Sequence, residues 1–363
     1  MNNRITQGYQ LLRGVVFFAI LVFLWTGSTY VLRGNSDIKQ RFANFYYEPD
    51  QTIDMIYIGS SPVHPYWAAP LAWKEYGFTS ASLATNVQQP RAVVFLLKEA
   101  LKTQKPEVVI FELRMFTRPQ RVFDQNEKRE SGIRNVTDNM KISYNRFQCI
   151  NRLVPEWKER IPYYFDIAKY HGAWKHLRKE DFSFYDYEKM DYRKGHLIKD
   201  QVVDLSQVWQ DYGQLTETEP MPPEQEGYLR ELLNYCKEQE ITALFTVNPY
   251  TDITETVQKQ FNYMANIIKN EYGYNFINFN NLYEQMNVEF DKDFYNGGHM
   301  NTHGAEKFTR YLSAYLIEHY DLPDKRGNSQ YQDWDFAYDF WRKEADAAIA
   351  TIQEKVANSA YDE

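Results

Sequence analysis

Continuous apolar runs alternate along this chain with stretches of helical periodicity. Ile53 to Ile58 reads as a buried strand, stopped by Gly59-Ser60-Ser61. Residues 67–76 read as a helix or helical turn, and 79–83 as a short second strand. Between Pro90 and Lys102, Val93, Val94, Leu96, Leu97 and Leu101 recur at helical spacing. Residues 107–113 form an apolar strand that ends in Glu112-Leu113-Arg114. The rhythm resumes at Tyr228, Leu232, Leu233 and Cys236, a helical face. Residues 242–247 are a fourth strand, ending at Asn248-Pro249-Tyr250. A helix over 255–271, a fifth strand over 275–279 and a helix over 302–320 follow. Strands that alternate with helices predict a mainly parallel five-stranded sheet covered on both faces, an α/β fold of the doubly wound, flavodoxin-like type. In the tail, Trp334, Tyr338, Trp341, Ala345, Ile349 and Ile352 repeat at three and four, which predicts a C-terminal helix docked on the domain.

Two regions depart from this pattern. Between Arg13 and Arg33 no residue is charged, and Val15 to Trp25 is wholly apolar. That length crosses a bilayer as one helix. Arg4 and Arg13, with no acid, favour a cytoplasmic N-terminus; Arg33, Lys39 and Arg41 beyond the span weaken that bias. Cleavage at Thr26-Gly27-Ser28 is the rival, but the uncharged run continues past that site, so an uncleaved anchor separate from the domain is expected. Either way the domain lies outside the cytoplasm. The second region, 117–224, is polar, aromatic-rich and irregular, with Tyr163-Tyr164-Phe165, Tyr170-His171 and Trp174. It reads as an inserted helical subdomain or lid over the sheet edge. The expected organisation is thus 1–34 tail and anchor, 35–116 first part of the domain, 117–224 insertion, 225–322 second part, and 323–363 helical tail.

Bulk composition narrows the function classes. A formal charge of −8 argues against nucleic acid as the main partner. The 29 tyrosines suit sugar sites, but also ordinary cores and membrane-interface belts. Cys149 and Cys236 lack any metal-type spacing; they form one disulfide or, as the helical setting of Cys236 favours, two buried thiols. No cofactor is implied.

The chemistry rests on two distant segments. A serine on a tight turn after a strand lifts its hydroxyl above the sheet edge. His299, in Asn296-Gly297-Gly298-His299 just before a helix, can reach the same edge and act as base. Tyr57-Ile58-Gly59-Ser60-Ser61, then Pro70, Leu71, Trp73, Gly77, Leu83-Ala84-Thr85 and Gln88-Gln89-Pro90, resemble membrane-anchored SGNH/GDSL-type hydrolases of bacteria. So do Lys105 to Glu112, and the late block Asp293 to His299 with Asn301, Gly304, Ala305 and Lys307. The likeness covers about 50–115 and 225–320.

That resemblance implies specific roles. Ser61 is the nucleophile, third in its Gly-x-Ser turn, and Ser60 a turn residue bonded to backbone. Asn296 stands where the family has an acidic residue three positions before the histidine; Asp293 or Asp291 could supply the carboxylate instead. The oxyanion donors are the Ser61 amide and the Ala84-Thr85-Asn86 loop, with the Asn86 side chain as a further donor. The third block carries Glu112-Leu113-Arg114 in place of the usual Asn. Arg114, Glu112 and Tyr250 are the substrate-facing side chains; the alternative for Arg114 is a salt bridge. His64 is a loop residue, and His171, His176 and His196 are structural or substrate-lining. His303 lies one turn from His299, but no Glu or Cys completes a metal site, so none is expected. The implied function is an extracytoplasmic esterase or O-acyltransferase acting on acyl groups of a cell-envelope or secreted polymer. By similarity to teichoic-acid D-alanylation and alginate-type O-acetylation proteins, it would work with a membrane-bound O-acyltransferase. The alternatives are a degenerate fold that binds glycan or an assembly partner without turnover, and an interaction scaffold.

Overall fold

Five parallel strands form the centre of the molecule. The structure, a computed structural model, describes residues 2–34, 36–182 and 192–362. Helix α1 (Asn2–Leu32) is followed by α2 (Asp37–Tyr47), capped by the Ser36 side chain. Then come β1 (Met55–Gly59), α3 (Val63–Tyr66), α4 (Ala69–Tyr76), β2 (Ser80–Ala84), α5 (Val93–Ala100) and β3 (Val108–Glu112). Short helices α6 (Gln120–Phe123), α7 (Asn126–Thr137), α8 (Tyr144–Leu153), α9 (Ile161–Tyr164) and α10 (Ile167–Tyr170) precede α11 (Pro223–Glu238) and β4 (Ala243–Val247). The chain closes with α12 (Glu255–Asn266), β5 (Asn275–Asn278), a hairpin of β6 (Phe294–Asn296) and β7 (His299–Met300), α13 (Thr302–His319) and α14 (Gln332–Ala357).

The strand order is β2-β1-β3-β4-β5, with every pair parallel. All residues of β1 to β4 are buried, so both faces are covered, which is why β1, β3 and β4 are mainly apolar and β2 is built of small residues and Leu83. β5 is a partly exposed edge and carries Asn275 and Asn278. From β1 the chain steps to β2 on one side and then crosses back to β3 on the other, so the winding direction reverses at β1. The crevice lies at that reversal, outside the carboxyl ends of the strands.

Gly59, the last residue of β1, is required by crowding. A Cβ there would come within 2.6 Å of the Glu112 Cβ and 2.7 Å of Val63 Cγ2. Neither atom can swing away, so β1 and β3 would have to separate. Gly59→Ala is expected to cost about 1–3 kcal/mol, read as a fall of several degrees in the thermal midpoint.

Helix α1 carries one stretch, Gly8–Leu32, long and apolar enough to cross a membrane. It is not separate from the domain. Its final turns bury Thr29 and Val31, and the Arg33 guanidinium binds Asp166 and the Asp138 carbonyl. Of the helices between 117 and 182, α10 lies against α1 and α8 against α5. Among the described residues of 117–224, only Leu197 and Lys199 line the cavity above Ser61, so those helices do not roof it. Cys149 on α8 and Cys236 on α11 are both buried free thiols. At the far end, Trp73 packs on Trp334 and donates to Asp335, docking α14 on α4.

Candidate active site

Ser61 lies two residues past the end of β1, at the crevice. Its Oγ lies 2.9 Å from His299 Nε2, although 238 residues separate them. His299 opens β7, and Asn296 ends β6 directly opposite it across the two-residue turn Gly297-Gly298. A two-glycine turn between short runs is a hairpin signal. It is the one sequence cue that the histidine block before α13 is strand–turn–strand.

The amide orientation of Asn296 fixes the imidazole tautomer. Its Oδ1 accepts the Gly298 N–H at 2.9 Å, so the oxygen faces inward. The same oxygen lies 2.9 Å from His299 Nδ1, which must therefore carry the proton. Nε2 is left bare, ready to accept from Ser61 Oγ–H. Asn296 thus orients the base as an aspartate would, without supplying a negative charge.

The turn is anchored from several sides. Gly298 O accepts from Arg114 Nη1 at 2.7 Å and from the Tyr66 hydroxyl at 3.3 Å. Gly297 O accepts from the Thr251 amide at 2.8 Å and its hydroxyl at 3.1 Å. Tyr295 stacks on the imidazole, ring centroids 5.4 Å apart. Burial pushes the His299 pKa down to about 3, and the nearby positive charges of Arg114 and Lys199 push the same way. No carboxylate opposes them, so the ring is neutral at physiological pH.

The three side chains expected to face substrate lie beneath and beside the histidine turn. Glu112 is buried beneath the site; its Oε1 accepts the Arg114 amide at 2.9 Å, and burial raises its pKa. Arg114 turns its guanidinium to Gly298 O and the face of Tyr250, 4.7 Å from the ring centroid. Tyr250 is held through its own amide and carbonyl by Asn280 and Tyr283. None lines the cavity. A strand-end position raises a side chain to the sheet edge, but loop packing decided that these three support the histidine turn.

Asp293 also lies apart from His299. Its carboxylate, fully buried, meets His303 Nδ1 at 2.5 Å, Lys307 Nζ at 2.8 Å and the Glu289 amide at 2.7 Å. It knits the hairpin to α13, whose N-terminus Asn301 caps. Glu289, Asp293 and His303 do form a cluster of metal-ligand type, which the His299–His303 spacing did not suggest. The Lys307 ammonium already sits 2.6 Å from Glu289 and 2.8 Å from Asp293. Asp293→Asn would leave Lys307 and His303 facing an amide. It is expected to cost about 3 kcal/mol in chemical denaturation, with turnover retained below the unfolding transition. Loss of turnover in a fully folded Asp293→Asn protein would make Asp293 the third member of the site after all.

The cavity itself is about 550 Å³ and is lined by Ser61, His64, Asn86, Lys199, Tyr295 and His299, with Asp37, Ile38 and Arg41 of α2 and its cap Ser36. Ala84, the last residue of β2, is buried and paired with Gly59. Asn86 and Val87 reach the cavity from that loop instead. Val87 has φ 55°, a conformation that glycine adopts freely and a β-branched residue does not. Ser60 is buried, its hydroxyl accepting the Gln88 amide at 3.3 Å, so it ties the two loops together across 28 residues rather than bonding locally. His64 was underrated by sequence reasoning. It is buried, neither ring nitrogen has a hydrogen-bond partner, and burial with the charge of Arg41 keeps it neutral. His196 is structural: it accepts from Trp341 at 2.9 Å and bonds Pro65 O at 3.2 Å; His171 and His176 are exposed.

No family model matches this chain, and no curated protein matches it. What the site can do therefore rests on its geometry: a serine hydroxyl, a neutral imidazole that accepts its proton, an orienting amide, and room beside them for an acyl group.

Proposed function

We propose that the protein is a serine esterase or O-acyltransferase of SGNH type. The observation that carries this reading is the Ser61–His299–Asn296 relay, with 2.9 Å at each contact, opening on a cavity. His299 takes the Ser61 proton as Oγ attacks an acyl carbonyl, then returns it to the departing alkoxide. Water or a polymer hydroxyl then takes the acyl group, giving hydrolysis or transfer. His64, buried with a neutral ring and no hydrogen-bond partner, lines the same cavity, and in this reading it would turn an N–H toward the acyl oxygen where the third-block Asn is missing. Arg41 and Lys199 against Asp37 make the cavity wall net positive, which favours substrates bearing an anionic group. With α1 as anchor and the domain outside the cytoplasm, the substrate is an acylated glycan or envelope polymer. A membrane-bound O-acyltransferase is the matching acyl donor.

The test is active-site labelling. The full chain in detergent is expected to take up one fluorophosphonate per molecule, with the mass increment on the Ser61 peptide and none in Ser61→Ala. Labelling elsewhere, or none, would sink the proposal. One observation favours a second reading, a binding protein without turnover. With no carboxylate, His299 is a weak base whose pKa lies near 3. Stoichiometric glycan binding with no labelling of Ser61 would support it.

A further inference from the structure

Outside α1, twelve large apolar side chains are exposed among the described residues. Eight of them lie between Ile142 and Phe182: Ile142, Tyr144, Phe147, Trp157, Ile161, Phe165, Trp174 and Phe182. Scattered exposed apolar residues need no explanation, but this density in one segment does. The rings are also contiguous. Tyr144 stacks on Phe147 and Phe147 on Tyr164, with centroids 6.4 Å and 5.0 Å apart. Next along the chain, Phe165 meets Trp25 of α1 at 5.6 Å.

The segment is fixed at one height along α1. Asp166, buried, binds Arg33 at the end of the apolar helix and Arg146 of α8 at 2.9 Å and 3.0 Å. Trp25 lies seven residues before Leu32, roughly 10 Å along the helix axis. Phe165 therefore sits about that far below the point where the apolar span ends. That is the depth at which amphipathic elements lie in the headgroup boundary, roughly 5–10 Å.

Charge points the same way. Residues 142–182 carry eight Lys and Arg against five Asp and Glu, in a chain of net charge −8. The excess of aromatic and basic residues at one level matches an anionic lipid surface.

We propose that residues 142–182 form a collar that lies in the headgroup region of the bilayer crossed by α1 and rests on anionic phospholipid. The inference depends on α1 being a membrane span and not on the chemistry of Ser61. The collar joins α1 through Asp166 and Arg33, and α2, which follows at once, lines the Ser61 cavity. The collar would thus set the domain's orientation and hold the cavity near the membrane surface.

Site-directed spin labelling of the full chain in phosphatidylcholine–phosphatidylglycerol vesicles tests this. Cys149 and Cys236 are buried, and unlabelled wild type is the check that they stay silent. Labels at Trp157→Cys, Ile161→Cys and Trp174→Cys are expected to collide with oxygen several-fold more than with a nickel chelate. A label at Phe336→Cys, exposed on α14, should show the reverse. Phe23→Cys, within the apolar span, reports on the anchor. If Phe23 is lipid-exposed and the collar labels meet the nickel chelate as freely as Phe336 does, the collar is overturned. If the collar labels are shielded from both reagents, protein rather than lipid covers the face, and the proposal also fails. A water-exposed Phe23 label would overturn the anchor itself, and the collar with it.

Discussion

Ser61→Ala is expected to reduce hydrolysis of a small acyl ester by roughly 10⁴-fold, to the level that binding and oxyanion contacts alone supply. Oγ is placed both to attack a carbonyl and to pass its proton to an imidazole 2.9 Å away. The fold should be unaffected. The serine side chain is half-buried, makes its one assigned hydrogen bond to His299, and leaves no sizeable void when truncated. Steady-state rates of purified full-length wild type and variant, with circular dichroism as the folding control, decide it. Equal rates would show that any hydrolysis arises elsewhere. His299→Gln should fall by a comparable factor, and the double variant little further, because the two groups act as one unit.

Asn296→Asp is expected to raise the rate rather than lower it. Asn296 is exposed, so a carboxylate there incurs little desolvation cost, and the Gly298 and His299 N–H groups both point at it. An anion behind the ring stabilises the imidazolium that forms as serine attacks, which an amide cannot do. The gain at the alkaline plateau should be on the order of 10- to 10³-fold. The pH profile carries the sign. With the pKa of His299 held near 3, the wild-type imidazole stays unprotonated through the range from 5 to 8, and its titration produces no acid limb there. A carboxylate opposes the burial and the charges of Arg114 and Lys199, and lifts the pKa back toward the ordinary histidine range. The variant should then lose activity as pH falls through about 6 to 7. An unchanged profile and plateau would mean that Asn296 does not govern the base.

The strands were legible because burial on both faces leaves no polar position to blur the run: Met55–Ile58, Val108–Phe111 and Ala243–Val247 are apolar but for Thr246. The apolar helix was legible because its uncharged run is long enough to cross a bilayer. The hairpin that carries His299 was not, since strands of three and two residues are too short to show a period, and only Gly297-Gly298 marked it. Ser61 and His299 could be named from the strand-end turn and the histidine block, whereas Glu112, Arg114 and Tyr250 do not line the cavity beside them. Their sheet-edge positions were correct, but which way each side chain turns depends on Gly298 and Asn280, which lie far along the chain.

By itself the sequence determined an alternation of buried strands and amphipathic helices, an apolar N-terminal span, and a serine and a histidine bound for the same edge. These are local properties: periodicity, run length and turn composition act within a few residues. Only the tertiary structure decided that Asn296 rather than Asp293 stands behind the imidazole, that His64 faces the cavity unpartnered, and that 142–182 lies against the end of α1. Each depends on contacts between segments tens to hundreds of residues apart, and a hydrogen bond responds to tenths of an ångström that no spacing along the chain encodes.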